Sequence, residues 1–414
     1  MSTTLPAPRR TSRDIRSDSR LDVLHAVLSA GETTRNAVAR ATGLSTATVA
    51  TVAGELLADG ILVETKVTAG RVGRPTATLA INGERGRVIG VDVAETYVQA
   101  ALFDTALNQV AFVQADRDEH LLDPDTMVEA VGEVVDSLLE REGIARDQVL
   151  GAGVALPGLV QRESGVSVSL PHWGWRSVDL DHLRARVGLP LVVDNPLKAI
   201  ATAELWLGRG RFCSNLVTVN LGTGVGAGLV LETRITRGAT NSAGEWGHSL
   251  LVLDGRLCRC GRLGCVEAYV GAPGIVQTLR EIAPDHPLAA MELQRDYIGA
   301  MARSVAGPEP DAAVQEAIAR TAYYLGSALA DLVAVVNPEV ITLTGWTAWL
   351  LGDRLLPAVR QHVREQSPGL SARDLELEMS TVKGNSVATG IATIALERAL
   401  ADAGLITTRS PIAL

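Results

Sequence analysis

The 414-residue sequence lacks a long apolar run and is poor in cysteine, and each absence excludes a class of protein. No segment approaches the ~18–20 consecutive apolar residues of a transmembrane helix, so no membrane partner is expected. The first twenty residues have no apolar core and do not resemble a secretory signal. Four cysteines are too few for a disulfide framework. We therefore expect a cytoplasmic protein, in which clustered cysteines indicate a metal site.

The chain also lacks an excess of positive charge. Lys and Arg number 38 against 47 Asp and Glu, and this net charge of −9 argues against a nucleic-acid partner for the chain as a whole. The charge is unevenly divided, however, because residues 1–82 contain ten basic and seven acidic residues and the remainder contains 28 and 40. The sequence predicts a basic head (+3) on an acidic body (−12), although chance would explain an asymmetry of three charges.

The head carries the pattern of a helix-turn-helix. Leucines recur at helical spacing from Leu21, and two further helices are predicted over 34–41 and 45–58. Four residues have the spacing of a helix-turn-helix. The small Ala39 lets the two helices approach, Gly43 forms the turn, and Val49 and Val52 anchor the second helix in the core. The last helix would enter a DNA major groove. Its expected DNA contacts are hydroxyl groups, those of Ser45, Thr46, Thr48 and Thr51. A generic helical hairpin would fit part of this pattern.

A wing is predicted after the helices. Its strands are expected at 61–63 and 78–81, joined by a segment that contains Arg71 and Arg74. Arginines in such an extended arm favour a narrow minor groove of double-stranded DNA, and a solvated basic loop is the alternative. We expect a disordered basic tail over residues 1–19 and a winged helix-turn-helix domain over residues 20–82.

The body contains an internal repeat. VIGVDVAETYVQAALFD at 88–104 matches LVTVNLGTGVGAGLVLE at 216–232 with a constant offset of 128, and each copy reads as strand, turn and strand. Two similar α/β lobes that face a cleft are the simplest interpretation. The second turn, GTGVGAG at 222–228, has the glycines of a phosphate-binding turn. The first turn has lost its glycines and carries Glu95, which argues against tight nucleotide binding.

Three of the four cysteines lie close together after the second repeat. Cys258, Cys260 and Cys265 fall within eight residues, and His248 precedes them by ten positions. Three thiolates and one imidazole form a closed tetrahedral site, so we predict one structural zinc ion per chain. Free thiols or a disulfide are the alternatives.

Residues from about 84 to 400 resemble the ROK family, which contains sugar kinases and sugar-responsive repressors. The resemblance rests on four segments: PGLV (157–160), PHWGWRSVDL (171–180), GTGVGAG (222–228) and GHSLLVLDGRLCRCGRLGCVE (247–267). The helix-turn-helix and its Gly-Arg-Pro stretch match the repressor branch of the family.

The resemblance implies a two-lobed, actin-like α/β body behind the winged helix-turn-helix domain. Lobe 1 is expected over 83–195 and lobe 2 over 196–384, with the zinc knot at 248–267. A C-terminal helix at about 385–402 is expected to return to lobe 1.

Site residues follow from the resemblance one position at a time. Glu245, His248 and Glu267 match the residues that hold sugar hydroxyls in the family, and each also has a structural alternative as a surface carboxylate, a metal ligand or a helix cap. Asn195 matches a sugar-binding asparagine, but Pro196 stands where the kinases have a catalytic aspartate. The remaining predicted members of the effector pocket are Gly158 and His172. Trp173 and Trp175 would pack on a sugar ring or in the core.

These features predict a sugar-responsive transcriptional repressor with a catalytically dead kinase cleft and no ATP requirement. A homodimer or homotetramer would bind a pseudo-palindromic operator in double-stranded DNA, and a sugar or sugar derivative would act as effector. An active sugar kinase with a regulatory role and a zinc-sensing repressor are the alternatives.

Overall fold

The computed structural model describes residues 12–65, 77–117, 123–160, 168–169 and 180–406. Within these ranges, no helix combines the length and the apolar character that crossing a membrane requires. A small N-terminal head packs on a body of two lobes, and each lobe is built on a five-stranded sheet.

The head contains three helices and a three-stranded sheet. Its elements are α1 (Ser12–Ala30), β1 (Glu32–Thr33), α2 (Arg35–Thr42), α3 (Thr46–Ala58), β2 (Leu62–Thr65) and β3 (Thr78–Ile81). The strands pair in the order β1-β3-β2, so the predicted wing strands are confirmed. Gly43 ends α2 in the left-handed region (φ 71°), and Val49 and Val52 are buried in the core of the head. The helix-turn-helix prediction is confirmed in each of these details.

The prediction of a disordered tail over residues 1–19 is wrong for residues 12–19, because α1 begins at Ser12. The apolar face of α1 is buried in the head, and a helix that is already nucleated extends at low cost through polar residues. Arg20 fastens the middle of α1 to α3 through ion pairs with Glu55 (3.0 Å) and Asp59 (2.9 Å). Residues 1–11 lie outside the described residues.

Lobe 1 is formed by β4 (Arg87–Val93), β5 (Tyr97–Asp104), β6 (Gln109–Asp116), α4 (Pro124–Glu142), β7 (Val149–Ala155), α5 (Leu180–Val187) and β10 (Leu191–Asp194). A short hairpin of β8 (Leu159–Val160) and β9 (Val168–Ser169) lies outside the main sheet. The main sheet has the order β10-β7-β4-β5-β6. Helices α4 and α5 cover one face and bury valines and leucines from the strands.

Lobe 2 is formed by the following elements: α6 (Pro196–Leu207), β11 (Leu216–Leu221), β12 (Val225–Leu231), β13 (Arg234–Ile235), α7 (Glu267–Val270), α8 (Ala272–Ile282), α9 (Gln294–Ser304), α10 (Ala312–Val336), β14 (Val340–Thr344), α11 (Trp346–Gln366) and β15 (Glu376–Met379). Its sheet has the order β15-β14-β11-β12-β13, which repeats the order of lobe 1. The predicted internal repeat is therefore real, because both of its copies form the central antiparallel hairpin of a sheet.

The last helix, α12 (Ser386–Asp402), packs on β4 and β7 of lobe 1 and on α6 of lobe 2. Three glycines allow this close approach. A side chain at Gly90 or Gly153 would collide with the backbone of α12, and one at Gly390 would collide with the backbone of α6. Helices α12 and α6 therefore form a common layer between the two sheets.

The head contacts the body through α1 and the C-terminal end of α6. The His25 imidazole lies 3.0 Å from the Leu205 carbonyl oxygen and packs edge-on against the ring of Trp206, 5.2 Å away. Arg211 donates a hydrogen bond to the Ser29 carbonyl oxygen at 2.5 Å. Leucines of α1 and α12 share one hydrophobic cluster with Trp206, so the head rests on a packed interface.

A carboxyl group beside Trp206 is expected to make the free energy of folding pH-dependent. Burial raises the pKa of Glu397 to about 7, against the opposing effects of a hydrogen bond with Trp206 and the charge of Arg237. The folded protein thus keeps a proton that the unfolded chain releases at lower pH, and the stabilisation is lost as pH rises toward 7. We predict that Glu397→Gln gains stability relative to the parent protein as pH rises from 5 to 8. The measurement is the melting temperature of both proteins at each pH. A constant difference between the two melting temperatures from pH 5 to pH 8 would contradict this assignment.

Candidate functional site

Four potential metal ligands converge in the loop that follows β13. The ligand atoms of His248, Cys258, Cys260 and Cys265 all lie within 4.8 Å of one another. Cys258 Sγ is 3.7 Å from His248 Nδ1, and Cys260 Sγ is 3.7 Å from Cys265 Sγ. The second distance is far too long for a disulfide bond of ~2.05 Å. The predicted ligand set is brought together and could hold a metal ion, and its thiol and imidazole donors fit zinc.

The loop can form this cluster because glycines turn the chain between the ligands. Gly261 (φ 85°) and Gly264 (φ 77°) are in the left-handed region, and a Cβ on Gly264 would lie 1.8 Å from the Val252 carbonyl oxygen. Burial raises the pKa of the Cys258 thiol. Metal binding must therefore displace a proton there, because the thiolate is the ligand.

A cavity of about 620 Å³ lies between the two lobes. Five of the six predicted effector residues line it: Gly158, Asn195, Glu245, His248 and Glu267. The sixth, His172, lies outside the described residues, as do Trp173 and Trp175. His248 belongs both to the cavity wall and to the metal cluster, so the two sites are adjacent.

Asn195 lies where lobe 1 meets α6. Its side-chain oxygen accepts a hydrogen bond from the Leu197 amide (2.8 Å) and caps α6, and its amide nitrogen donates to the Gly158 carbonyl oxygen (2.7 Å). Pro196 occupies the first turn of the helix, where proline is well tolerated because no amide donor is needed. The local structure of the site is therefore kept without an ionisable group at position 196.

The neighbouring carboxyl group of Asp194 is engaged by other residues of the protein. It is 4% exposed and forms an ion pair with Arg237, whose Nη2 lies 2.7 Å from its Oδ2. Its Oδ1 accepts hydrogen bonds from the Asn195 backbone amide (2.8 Å) and the Asn241 side chain (3.2 Å). Asp194 is thus held by structural partners at the base of the cleft.

Two acidic residues that line the cavity, Glu245 and Glu267, differ in their surroundings. Burial raises the pKa of Glu245, against the opposing charges of His248 and Lys198. The Lys198 ammonium contacts the Ala243 carbonyl oxygen, and burial lowers its pKa. Glu267 accepts a hydrogen bond from the Val225 amide (3.0 Å) and thereby fixes the glycine-rich turn. Sequence reasoning missed Lys198, although a lysine on an apolar face of α6 is a visible signal.

Arg259 and Glu95 form an ion pair across the cleft between the lobes. Nη1 of Arg259, in the metal-binding loop, lies 3.0 Å from both carboxylate oxygens of Glu95, in the first repeat turn. The sequence indicated that Glu95 would repel phosphate, but Arg259 was missed. The pairing of Arg259 with Glu95 depends on how the two lobes pack together, and no local sequence pattern predicts that packing.

The predicted DNA contacts lie at the start of α3. Ser45 accepts a hydrogen bond from the Thr48 amide (3.1 Å) and thereby caps the N-terminus of α3. Thr46 and Thr51 are exposed, and Thr48 is half-buried. Arg71 and Arg74 lie outside the described residues.

Comparison with known proteins assigns the body. The model of the ROK family matches residues 88–398, which is most of the chain. The chain belongs to the ROK family. The actin-like, two-lobed architecture expected from the resemblance is confirmed with it.

ROK relatives of two kinds are similar to this chain. A xylose repressor of Caldicellulosiruptor bescii is 26% identical over 377 residues, which cover 90% of this chain and 94% of the repressor. A glucokinase of Halalkalibacterium halodurans is 30% identical over 73% of this chain and 92% of the kinase. A crystal structure of a ROK family transcriptional regulator, a homolog of the E. coli Mlc protein, has a TM-score of 0.73 at 25% identity and covers 95% of this chain and 98% of its own.

The share of this chain that is covered differs between the two regulators and the glucokinase. Coverage of 90% and 95% exceeds what residues 83–414 alone contain, so both regulators also match part of the head. The family model begins at residue 88, after the head. The matches to these two regulators therefore extend over both parts of this chain, the head and the body.

Proposed function

We propose that this ROK protein is a sugar-responsive transcriptional repressor. The observation that carries the proposal is a helix-turn-helix head joined to a ROK body in which Asn195, Glu245 and His248 line one cleft. The repressor and regulator relatives, which match both parts of the chain, support this proposal. A sugar that binds more tightly to one arrangement of the lobes would shift the population of DNA-binding conformers.

The kinase chemistry is absent in this proposal. A sugar kinase needs a carboxylate that takes or orients the proton of the attacking hydroxyl, a contribution of roughly 10²–10⁴-fold. Pro196 cannot supply it, and Asp194 is engaged by Arg237. Because glucokinases are also relatives, the decisive assay is ADP release with ATP and a panel of hexoses and pentoses. We expect no sugar-dependent ADP, and turnover with any sugar would support the kinase alternative.

We propose that the metal is zinc and that its role is structural. Four protein ligands leave no open position for a substrate or a catalytic water. The Nδ1 atom of His248 faces Cys258, which leaves Nε2 to donate a hydrogen bond to a ligand in the cleft. Zinc would thus orient a sugar-binding imidazole. Loss of the metal would therefore also disturb the effector site, because His248 would no longer be held in place.

Helix α6 is the proposed route from effector to DNA. Its N-terminus is capped by Asn195 in the cleft, and its C-terminus carries Trp206 against His25 of the head. Twelve residues of helix span roughly 18 Å as a rigid rod. A ligand that changes the Asn195–Gly158 contact would therefore move the surface on which α1 rests.

This route predicts an uncoupled variant. His25→Ala removes the ring that packs on Trp206, so operator affinity without sugar should stay within about two-fold while the response to sugar falls several-fold. Operator binding measured with and without effector checks this, and His362→Ala, far from the interface on α11, serves as control. A full sugar response in His25→Ala would contradict transmission through this contact.

We propose that the active species is a homodimer or homotetramer. Two heads related by two-fold symmetry would read half-sites about 34–36 Å apart, or a multiple of that distance. The winged head would place α3 in the major groove, with Arg71 and Arg74 along the adjacent minor groove. The acidic body would limit non-specific contact with DNA, because its net charge repels phosphate.

A further inference from the structure

The cavity is larger than its sugar-binding residues require. A volume of about 620 Å³ falls in the range of pockets that enclose ligands of several rings. Asn195, Glu245 and His248 line only one end of it. The other end is lined by side chains of β5, α9 and α11 that none of the predicted sites includes.

Aromatic rings form one wall of this second end. Trp346 and Trp349 lie one turn apart on α11 and both line the cavity, with Trp349 half exposed. The Arg295 guanidinium, on α9 of the same lobe, lies 5.8 Å from the Trp346 ring centre and 4.9 Å from the ring centre of Tyr97 on lobe 1. Flat apolar rings of this kind pack well against the C–H face of a pyranose ring.

Hydrogen-bonding groups lie beside these rings. Asp92 is 4% exposed, and its Oδ2 accepts hydrogen bonds from the Tyr97 hydroxyl (2.7 Å) and the Asn385 amide (2.8 Å). Gln99 and Gln114 also line the cavity and are joined by a hydrogen bond between their amides (3.2 Å). Carboxylate, hydroxyl and amide groups next to aromatic faces suit the ring hydroxyls of a neutral sugar.

The same end is poorly suited to a nucleoside triphosphate. The Gly222 amide donates to the Gly224 carbonyl oxygen (3.1 Å) and the Val225 amide to Glu267 (3.0 Å), so two donors of the glycine-rich turn are already engaged. Glu95 holds Arg259 with both carboxylate oxygens. Oδ2 of Asp92 accepts two hydrogen bonds, so this atom offers no donor to a phosphate group.

We propose that the second end of the cleft is a subsite for another sugar ring, so that the effector is a neutral oligosaccharide of at least two residues. This inference rests on the proposed function and specifies its ligand. One ring would bind at Asn195, Glu245 and His248, and the next would pack on Trp349 with its hydroxyls toward the Asp92 cluster. Both lobes would then contact one ligand, which ties its binding to their closure.

Calorimetry on the full-length, metal-loaded protein tests the subsite. Matched mono-, di- and trisaccharide series of glucose, xylose and N-acetylglucosamine are titrated without nucleotide. We expect a disaccharide of one series to bind at least about ten-fold more tightly than its monosaccharide. Trp349→Ala should abolish that advantage and leave the monosaccharide affinity unchanged. Tyr323→Ala, a half-exposed aromatic on α10 outside the cavity, should leave both affinities unchanged.

Equal affinities for a monosaccharide and its oligomers would overturn the subsite, and so would an unaltered disaccharide affinity in Trp349→Ala. Competition between a non-hydrolysable ATP analogue and the disaccharide would also overturn it, because the second end would then be a nucleotide site. A separate operator-binding arm tests the proposed function. Sugars that bind by calorimetry without changing operator affinity would contradict effector control and leave the subsite intact, whereas no sugar binding at all would contradict both.

Discussion

Replacing Cys265 by Ser should remove the bound metal and lower the melting temperature by roughly 10 °C or more. Cys265 is 1% exposed, and its sulfur belongs to the four-ligand cluster. Structural zinc sites contribute folding free energy directly, since the unfolded chain does not retain a formed site. His248 would also lose its fixed orientation, so the response to sugar should be lost together with the metal. Metal analysis, melting curves and operator binding measure these three effects.

Cys213→Ser is the matched control for this experiment. Cys213 is the one cysteine outside the cluster, and burial raises the pKa of its thiol to about 11. Its replacement should leave metal content unchanged, because it contributes no ligand. If Cys265→Ser keeps a full equivalent of zinc and a normal melting temperature, the cluster is not the structural metal site. Loss of the sugar response with an unchanged melting temperature would instead favour zinc sensing.

Ala47→Glu should weaken operator binding by about 100-fold without unfolding the head. Ala47 is exposed in the first turn of α3, between two residues that we expect to contact DNA. A carboxylate there would face the negatively charged phosphates and the electronegative base edges of the groove. The same charge is favourable for the helix itself, because it lies near the positive end of the helix dipole. Fluorescence anisotropy with labelled operator gives the affinity.

Ala58→Glu places the same charge at the opposite end of α3. Ala58 is also exposed, and a glutamate in the last turn costs well under ~1 kcal/mol of helix stability. Operator affinity should therefore change by less than about three-fold. Equal losses in the two variants would mean that net charge, and not the position of the N-terminal turn, determines the effect. Unchanged affinity in Ala47→Glu would remove α3 from the DNA interface.

Much of the fold and of the candidate metal site could be predicted because neighbouring residues in the sequence determine them. Gly43 occupies a left-handed turn and Ser45 caps the next helix, so neighbouring residues alone define the helix-turn-helix. The metal cluster could also be predicted from the sequence, because three of its ligands lie within eight residues and glycines allow the chain to turn there. The repeat could be aligned without gaps because each copy is a continuous strand–turn–strand unit.

Contacts between distant elements could not be predicted in this way. The pair of Glu95 and Arg259 forms across two lobes, and either side chain alone reads as a solvated charge. The stack of Arg295 with Tyr97 and Trp346 also joins segments that are far apart in the sequence. The start of α1 at Ser12 was missed for a related reason, since polar residues extend a helix only because its later turns are packed.

Operator binding in the presence of sugar, with no ATP, tests the central claim most directly. Duplexes selected by the full-length protein from a random pool would supply the operator, and the sugar series used for calorimetry would be titrated into the complex. We predict a pseudo-palindromic duplex whose affinity falls at least ten-fold with one sugar series in the parent protein. Asn195→Ala should bind the same duplex without that response. Failure to select a specific duplex, or a response that requires ATP turnover, would contradict the assignment as a sugar-responsive repressor.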